Sequence, residues 1–551
     1  MKIKDIGKLI EKNQYLVLVL IIIVAIFFRM YFFVGYSAVP QQEEIYINTM
    51  NQIYNGEYGD YLSRYMEISS NYEAGSYETI PIRLMIVYPA VSFWYLFGIS
   101  ELSTLMWPLL SSLGIVICCF FIGKTLFNYK VGLLASLLAS FYPISIINGT
   151  RLDSDIILAF LLCLSVLFFI KAVKFEKDKN KNIIVDFLKS QKFYFLLFGM
   201  FFALALFAKP LAVILIPVFG IYLIYKRHFN KNLAFALIGF LSIFLIFCVF
   251  FQLSANNPFL YFEISSEGFR SYAIDTSSGP VFQSNNLKFW IEEDLPIIYY
   301  SPFLFNFVKP GSDSGVPNVW LFFYFLIPLF AYSVFTLKNK KIIFPLIWFV
   351  FLLIYLEIGF SSIFLDNGLN YVLIGRELRF LSILTAPSLI LLAYSINSLF
   401  EIKIPKKIKV LPKILVFIII ITLIIFSFKT LEKTHYELTD PTSDIKDTYN
   451  YLLDKPYNKI YCDNLGVNLL NFYFGYKETN HIKSIESNDQ LVNNSYILIG
   501  GSRNSVYTGE YIEGLYPEFT NNTQDNWLLV KEFKKEIEPW RNSNLKIYYI
   551  S

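Results

Sequence analysis

Histidine is nearly absent from this chain: His228, His435 and His481 are the three among 551 residues, and they are scattered. That scarcity argues against hydrolysis driven by a histidine base and against a histidine-ligated metal. Cysteine is scarce as well. Of the five, Cys118, Cys119, Cys163 and Cys248 lie inside apolar runs and Cys462 stands alone in the polar tail, which leaves neither a disulfide framework nor a zinc spacing. Charge is thin. Charged residues make up 16% of the chain, the formal net charge is +4, and the basic residues fall in short clusters between apolar runs. Nucleic-acid binding would need a basic patch or stripe and is excluded. There is no internal repeat and no pair of inverted halves of the transporter kind.

What the chain has in plenty is apolar surface. Hydrophobic residues make up 55% and aromatics 19%, and the mean hydropathy of +0.49 lies far above that of a soluble domain. The sequence reads as a mainly α, polytopic membrane protein. Spans of about 17–25 apolar residues are the unit of such a chain, and lysine-rich connectors stay cytoplasmic. The connectors are Lys124 to Lys130, Lys171 to Lys192, Lys226 to Lys231, Lys338 to Lys341 and a fifth ending at Lys413. With all of them and the N-terminus inside, about eleven crossings follow. They are Tyr15–Val34, Thr104–Gly123, Val131–Ile147, Ile156–Ile170, Phe193–Ala208, Leu211–Tyr225, Leu233–Gln252, Val319–Leu337, Ile342–Ile363, Ile374–Leu399 and Ile414–Phe428. The first follows the basic start MKIKDIGKLIEK, is long for a signal segment and lacks a small-residue cleavage site, so it reads as a retained anchor.

Pro81 to Ile99 is also apolar, but counting it as a crossing would put three lysine clusters on the wrong face. With Arg83, Tyr88, Trp94 and Tyr95 it suits a helix at the headgroups. The expected outer face then carries residues 35–103, 253–318 and the tail. The tail alternates short apolar runs such as NKIYC and SYILIGG with helix-like SDIKDTYNYLLDK. It reads as a small extracytoplasmic α/β domain over residues 431–551, behind a membrane domain over 1–430. The expected location is the cell membrane, with the N-terminus cytoplasmic and the C-terminal domain outside.

Ionisable residues at membrane depth are costly, and here they gather on one side. NGTRLDSDIILAF puts Arg151, Asp153 and Asp155 in a short outer turn. LALFAKPLAVIL puts Lys209 at the turn of a tight hairpin, with Pro210 opening the returning helix. LIGRELRFLSILTAPSLILLA puts Arg376, Glu377 and Arg379 at the start of the tenth span, and PQQEEIYINTMNQIYNGEYG puts Glu43 and Glu44 after the first. Singly, each has a plain reading: a solvated loop end for the glutamates and an ion pair fixing a turn for Arg151 with Asp153. Lys209 would snorkel, and Arg376 and Arg379 would anchor at lipid phosphates. Snorkelling alone would populate the inner ends too, so the one-sided gathering points to a site.

In their order along the chain these motifs resemble the GT-C superfamily of integral-membrane glycosyltransferases, in particular the branch of protein O-mannosyltransferases and lipid A aminoarabinose transferases. EEIY is similar to the family's acidic pair and tyrosine after the first span. ISELSTLMWPLLSSLGIVICCFFIGKTLFNYKVGLLASLLASFYPISIINGTRLDSDIILAF is similar to its stretch from a small-acidic turn to an arginine and an aspartate. GMFFALALFAKPLAVILIPVFGIYLIYK is similar to its lysine hairpin, and GRELRFLSILTAPSLILLA to its late arginine-aromatic-leucine-proline motif. The resemblance covers roughly residues 10 to 430. Three positions depart from the pattern: Glu43 stands where aspartate is usual, Ser154 where proline is frequent, and serine and threonine precede Pro387. Glutamate reaches one methylene further at a similar pKa, so the choice of base between Glu43 and Glu44 stays open.

The resemblance implies transfer of a sugar, with inversion, from a polyprenyl-phosphate donor to a protein or glycolipid acceptor at the outer face. It implies Glu43 as general base with Glu44 as neighbour or stand-in. It places Arg151, Asp153 and Asp155 as orienting partners on the acceptor side, and Lys209, Arg376 and Arg379 at the departing phosphate. Tyr46, Tyr54 and Tyr58 offer rings for stacking on sugars. Membrane lipids are partners and nucleic acid is not. No cofactor is implied; a magnesium or manganese ion on the oxygens of Glu43, Glu44 and Asp153 ranks second. The alternative from another class is a lipid or sugar transporter or flippase, which would place its charges on broken helices at the midplane.

Overall fold

Apolar runs of this length become helices because in lipid each backbone N–H and C=O needs a partner within its own segment. The computed structural model describes residues 11–35, 40–62, 82–174, 190–265, 321–337, 340–358, 378–401, 410–462, 464–477, 480–484, 491–500, 527–538 and 541–551. It divides into two compact units. The first comprises residues 1–33, 56–87 and 107–432, and the second 34–55, 88–106 and 433–551.

Fifteen α-helices are used below. They are α1 Gln14–Tyr31, α2 Pro40–Tyr54, α3 Leu84–Phe97, α4 Glu101–Leu126, α5 Tyr129–Ser140, α6 Pro143–Gly149, α7 Ser154–Val173, α8 Gln191–Ala208, α9 Leu215–Lys226, α10 Ala234–Ala255, α11 Leu321–Leu337, α12 Ile343–Ile358, α13 Thr385–Ser398, α14 Leu411–Leu452 and α15 Asn464–Tyr473. Short 3₁₀ helices, Pro210–Ile214 and Leu378–Leu384, precede α9 and α13.

Among the described residues, seven helices are long and apolar enough to cross a membrane, or eight if the bent pair α5 and α6 is one span. The chain is a multi-pass membrane protein. Each of the eleven expected runs holds at least part of one of the fifteen helices above, but α9 has 12 residues, and α11 and α12 adjoin residues outside the described ones. At 1.5 Å per residue α9 reaches about 18 Å against a hydrocarbon core of about 30 Å, so length among the described residues supports fewer crossings than the eleven expected. By the same measure α3, with 14 residues, extends about 21 Å, short of that core.

In the first unit every residue of α13 is buried, whereas α10 fully buries only Gly239, Cys248 and Phe251 and leaves residues such as Leu237, Leu245 and Val249 exposed. The α8–α10 contact is backbone on backbone. A Cβ on Gly199 would run into the Ala236 carbonyl, and one on Gly239 into the Leu196 carbonyl. Glycines at such a crossing let two membrane helices gain van der Waals contact where no hydrophobic drive separates protein from lipid.

The second unit holds α2, α15, the end of α14 and a five-stranded sheet. Its strands are β1 Ile460–Cys462, β2 Ile482–Ser484, β3 Ser495–Gly500, β4 Trp527–Glu538 and β5 Arg541–Ile550, in the order β2-β1-β3-β5-β4. β1 pairs parallel with β2 and β3, and β5 pairs antiparallel with β3 and β4. Tyr461, Ile497, Ile499, Trp527 and Ile550 form a core on it. This is the small α/β region expected in the tail, but the unit also takes in residues from before the second long helix. Trp94 donates to Thr104 Oγ1 at 2.8 Å and lies 6.3 Å from the ring of Phe472. Glu101, at the start of α4, accepts from Lys446 Nζ at 2.5 Å and from the Tyr473 hydroxyl at 2.9 Å.

Candidate active site

The described part of the site is built at the start of α7. Asp153 caps that helix in an extended conformation, its carboxylate accepting from the Asp155 N–H at 2.8 Å. An aspartate there satisfies one of the orphan N–H groups and faces the positive end of the helix dipole. Asp155 follows in the first turn and is wholly buried. Its Oδ1 lies 2.7 Å from Lys209 Nζ, and Oδ2 has no hydrogen-bond partner among the described residues.

Lys209 reaches that position because Pro210 follows it. The residue before a proline is pushed out of the helical region, and Lys209 ends α8 at φ −162° and ψ 132°. Ala208 and Lys209 therefore close one helix while Pro210 opens a 3₁₀ turn, where its missing N–H costs nothing. The lysine side chain is 14% exposed, so its charge is held by the carboxylate and still reaches the surface of the bundle.

Two further segments meet the same turn. Arg83, just before α3, makes a long hydrogen bond of 3.4 Å from Nη1 to Ser154 Oγ. From the opposite direction in sequence, Asn148 in α6 donates to Ser382 Oγ at 2.7 Å, both residues buried. That bond holds the 3₁₀ helix Leu378–Leu384 beside α6, and Arg379 lies in this 3₁₀ helix. Tyr355 in α12 lies within Coulombic range of Asp155. Arg151 sits half-buried in the turn, its carbonyl accepting from the Asp153 N–H at 2.9 Å.

The arrangement brings together Arg83, Arg151, Asp153, Asp155 and Lys209, with the segment of Arg379 alongside. Arg376 and the side chain of Arg379 lie outside the described residues. Glu43 and Glu44 are the fourth and fifth residues of α2; their side chains lie outside the described ones too. Of the expected sugar-stacking tyrosines, Tyr46 is buried in α2. Tyr54 stacks on Tyr95 with centroids 4.8 Å apart, and Tyr58 is buried with its ring 6.1 Å from that of Phe250. Among the described residues no group of three or more His, Cys, Asp or Glu side chains is gathered as a metal site. Arg83 was expected only at headgroups. Its place at the edge of an apolar run resembles that of the other site charges, and that was the one signal in the sequence.

Residues 84–253 match the family of dolichyl-phosphate-mannose-protein mannosyltransferases. The fold is similar to that of ArnT from Cupriavidus metallidurans bound to undecaprenyl phosphate, with 12% identity and a TM-score of 0.56 over 97% of this chain and 98% of that one. The chain is a membrane glycosyltransferase of the GT-C fold. The apo form of the same ArnT matches with a TM-score of 0.51 and 11% identity over 96% of this chain and 97% of that one. An Archaeoglobus fulgidus oligosaccharyltransferase tethered to an acceptor peptide matches at 0.50 and 13% identity, over 89% of this chain and 69% of that one. No curated protein matches the chain in sequence. The family match includes both partners of the Asp155–Lys209 pair, so the GT-C glycosyltransferase assignment and the buried site charges fall in the same part of the chain.

Proposed function

We propose that this glycosyltransferase moves a sugar from a polyprenyl-phosphate carrier to a hydroxyl of a protein or glycolipid at the outer face of the membrane, inverting the anomeric carbon. The observation that carries the reading is Lys209, an ammonium held against the buried carboxylate of Asp155 at the end of a membrane helix. A cation so placed is fixed before the donor arrives, and preorganised charge stabilises a leaving phosphate without reorganisation at the moment of reaction. Arg83, Arg376 and Arg379 add charge-assisted donors for the phosphate oxygens. ArnT, which shares the fold, has been captured with undecaprenyl phosphate, and that likeness supports a polyprenyl-phosphate donor.

In the reaction the acceptor oxygen attacks the anomeric carbon from the face opposite the phosphate. Its proton passes to a carboxylate, the role that the order of motifs assigns to Glu43, with Glu44 as stand-in. The bond from the anomeric carbon to the phosphate oxygen breaks, and the carrier phosphate leaves with both electrons, neutralised by Lys209 and the arginines. Arg151 and Asp153 orient the acceptor side. Tyr54 and its neighbours supply aromatic surface for sugar rings.

The chemistry needs no metal ion in this reading. Lys209 meets one oxygen of the Asp155 carboxylate, one oxygen of Asp153 caps α7, and a divalent cation there would be opposed by the ammonium. The lysine clusters support a topology with cytoplasmic connectors.

The test is transfer by the purified full chain in lipid nanodiscs, with a polyprenyl-phosphate-linked hexose or pentose as donor. Release of polyprenyl phosphate together with glycosylated acceptor is expected. Donor turnover that is absent with every sugar tried, or movement of intact donor across the bilayer in its place, would overturn the reading.

A further inference from the structure

Arg29 is wholly buried in the last turn of α1, and the chemistry above makes no use of it. Guanidinium keeps its charge and carries five N–H donors, so burying it is tolerable only when those donors are met. Nε donates to Ser112 Oγ at 2.6 Å. Nη1 donates to the carbonyls of Ala25 at 3.0 Å and Ser140 at 3.2 Å. Nη2 donates to the Ser112 carbonyl at 3.3 Å and to Ser145 Oγ at 3.2 Å. Every one of these acceptors is neutral. The group is therefore a brace among α1, α4, α5 and α6, and among the described residues it has no carboxylate partner.

What it braces is a break in a span. α5 and α6 meet at a bend of 57°, and Pro143, at the first position of α6, has no N–H to continue the ladder. Carbonyls at the end of α5 lose their helical donors there, and in a membrane interior an orphaned carbonyl is costly. Arg29 meets the carbonyl of Ser140 on one side of the break and the hydroxyl of Ser145 on the other. Ser112, the third anchor, is also where α6 ends: a Cβ on Gly149 would collide with the Ser112 side chain. Thr150 Oγ1 then reaches back to the Phe32 carbonyl at 3.5 Å. From Thr150 the chain runs directly into Arg151, Asp153 and Asp155.

We propose that Arg29 is a positioning residue. By replacing the backbone hydrogen bonds lost at the break, it sets the direction of α6 and so the place at which Asp155 receives Lys209. The inference rests on the reading that this turn belongs to the sugar-transfer site.

The experiment measures donor turnover per folded molecule, polyprenyl-phosphate binding and thermal unfolding for Arg29→Lys, Arg29→Met, Ser145→Ala and Lys209→Ala in the full chain. Lysine keeps the charge, but its single nitrogen cannot span Ser112, Ser140 and Ser145 together. A displacement of about 1 Å in a catalytic group costs roughly 10²-fold. Arg29→Lys is therefore expected to fold and to lose transfer on that order, with Ser145→Ala losing less in the same direction. Added to Arg29→Lys, Lys209→Ala should cost much less than it does in the wild type, because both act through one pair. Wild-type turnover in Arg29→Lys, or losses with Lys209→Ala that multiply independently, overturns the proposal. If Arg29→Met fails to fold, the lysine and Ser145 variants decide. Should Lys209→Ala itself leave donor binding and turnover unchanged, the site reading fails and takes this inference with it, a result separable from a null effect at Arg29.

Discussion

Lys209 Nζ lies 2.7 Å from Asp155 Oδ1, with the lysine side chain 14% and the aspartate side chain 1% exposed. The pair joins the end of one membrane helix to the start of another, 54 residues apart in sequence. Removing one partner of a buried pair leaves the other charge uncompensated, at about 3–5 kcal/mol. Lys209→Met is expected to lower stability by that order in detergent unfolding. Lys209→Met with Asp155→Asn should regain most of the stability and none of the transfer activity. A double variant no more stable than the single one would mean that the pair is not coupled.

Donor recognition is expected to depend on the same lysine. Lys209→Ala and Arg379→Ala should each weaken polyprenyl-phosphate binding, because a charge-assisted contact to phosphate is lost. Titration of the carrier phosphate onto folded variants measures this, and unchanged affinity in both would return the two residues to lipid anchoring.

The proton acceptor is expected among the first two glutamates of α2. Glu43→Gln should reduce transfer by about 10²–10⁴-fold while donor binding survives. Glu44→Gln should hurt less. The reverse order would keep the mechanism and move the base by one residue, whereas full activity in both variants and in the double would remove the carboxylates from the chemistry.

Chelation separates the two rankings of metal dependence. Transfer by the purified protein is expected to be unchanged after exhaustive EDTA treatment and to need no added magnesium or manganese. Loss on chelation that either ion restores would make a metal on the acidic residues part of the machinery.

Helix packing provides a test independent of activity. Gly239→Leu forces a side chain into the Leu196 carbonyl on α8, and overpacking of this kind costs about 1–3 kcal/mol. The unfolding temperature of Gly239→Leu should fall, and that of Gly220→Leu, where a Cβ meets nothing within 4 Å, should not.

The sequence by itself determined the membrane class and the helical fold and pointed to the segments of the candidate site, because hydropathy runs, lysine clusters and prolines act locally. The break at Pro143 falls inside a run read as one crossing, whereas Pro210 was readable as the opening of a returning helix, since its missing N–H is an orphan there. The α/β character of the tail was legible for the same reason, in the short apolar runs that became β1 and β3. What only the tertiary structure decided is who meets whom. Asp155 was readable as an acid in a turn, but its pairing with Lys209 depends on α7 and α8 lying side by side, and no periodicity encodes that. Residues 34–55 and 88–106 join the unit of the tail through contacts such as Glu101 with Lys446 and Tyr473, which no local signal announces. Arg29 was hidden most completely. One cation at the end of an apolar span looks like any residue snorkelling toward headgroups, and its burial against Ser112, Ser140 and Ser145 exists only once three other helices have been packed around it.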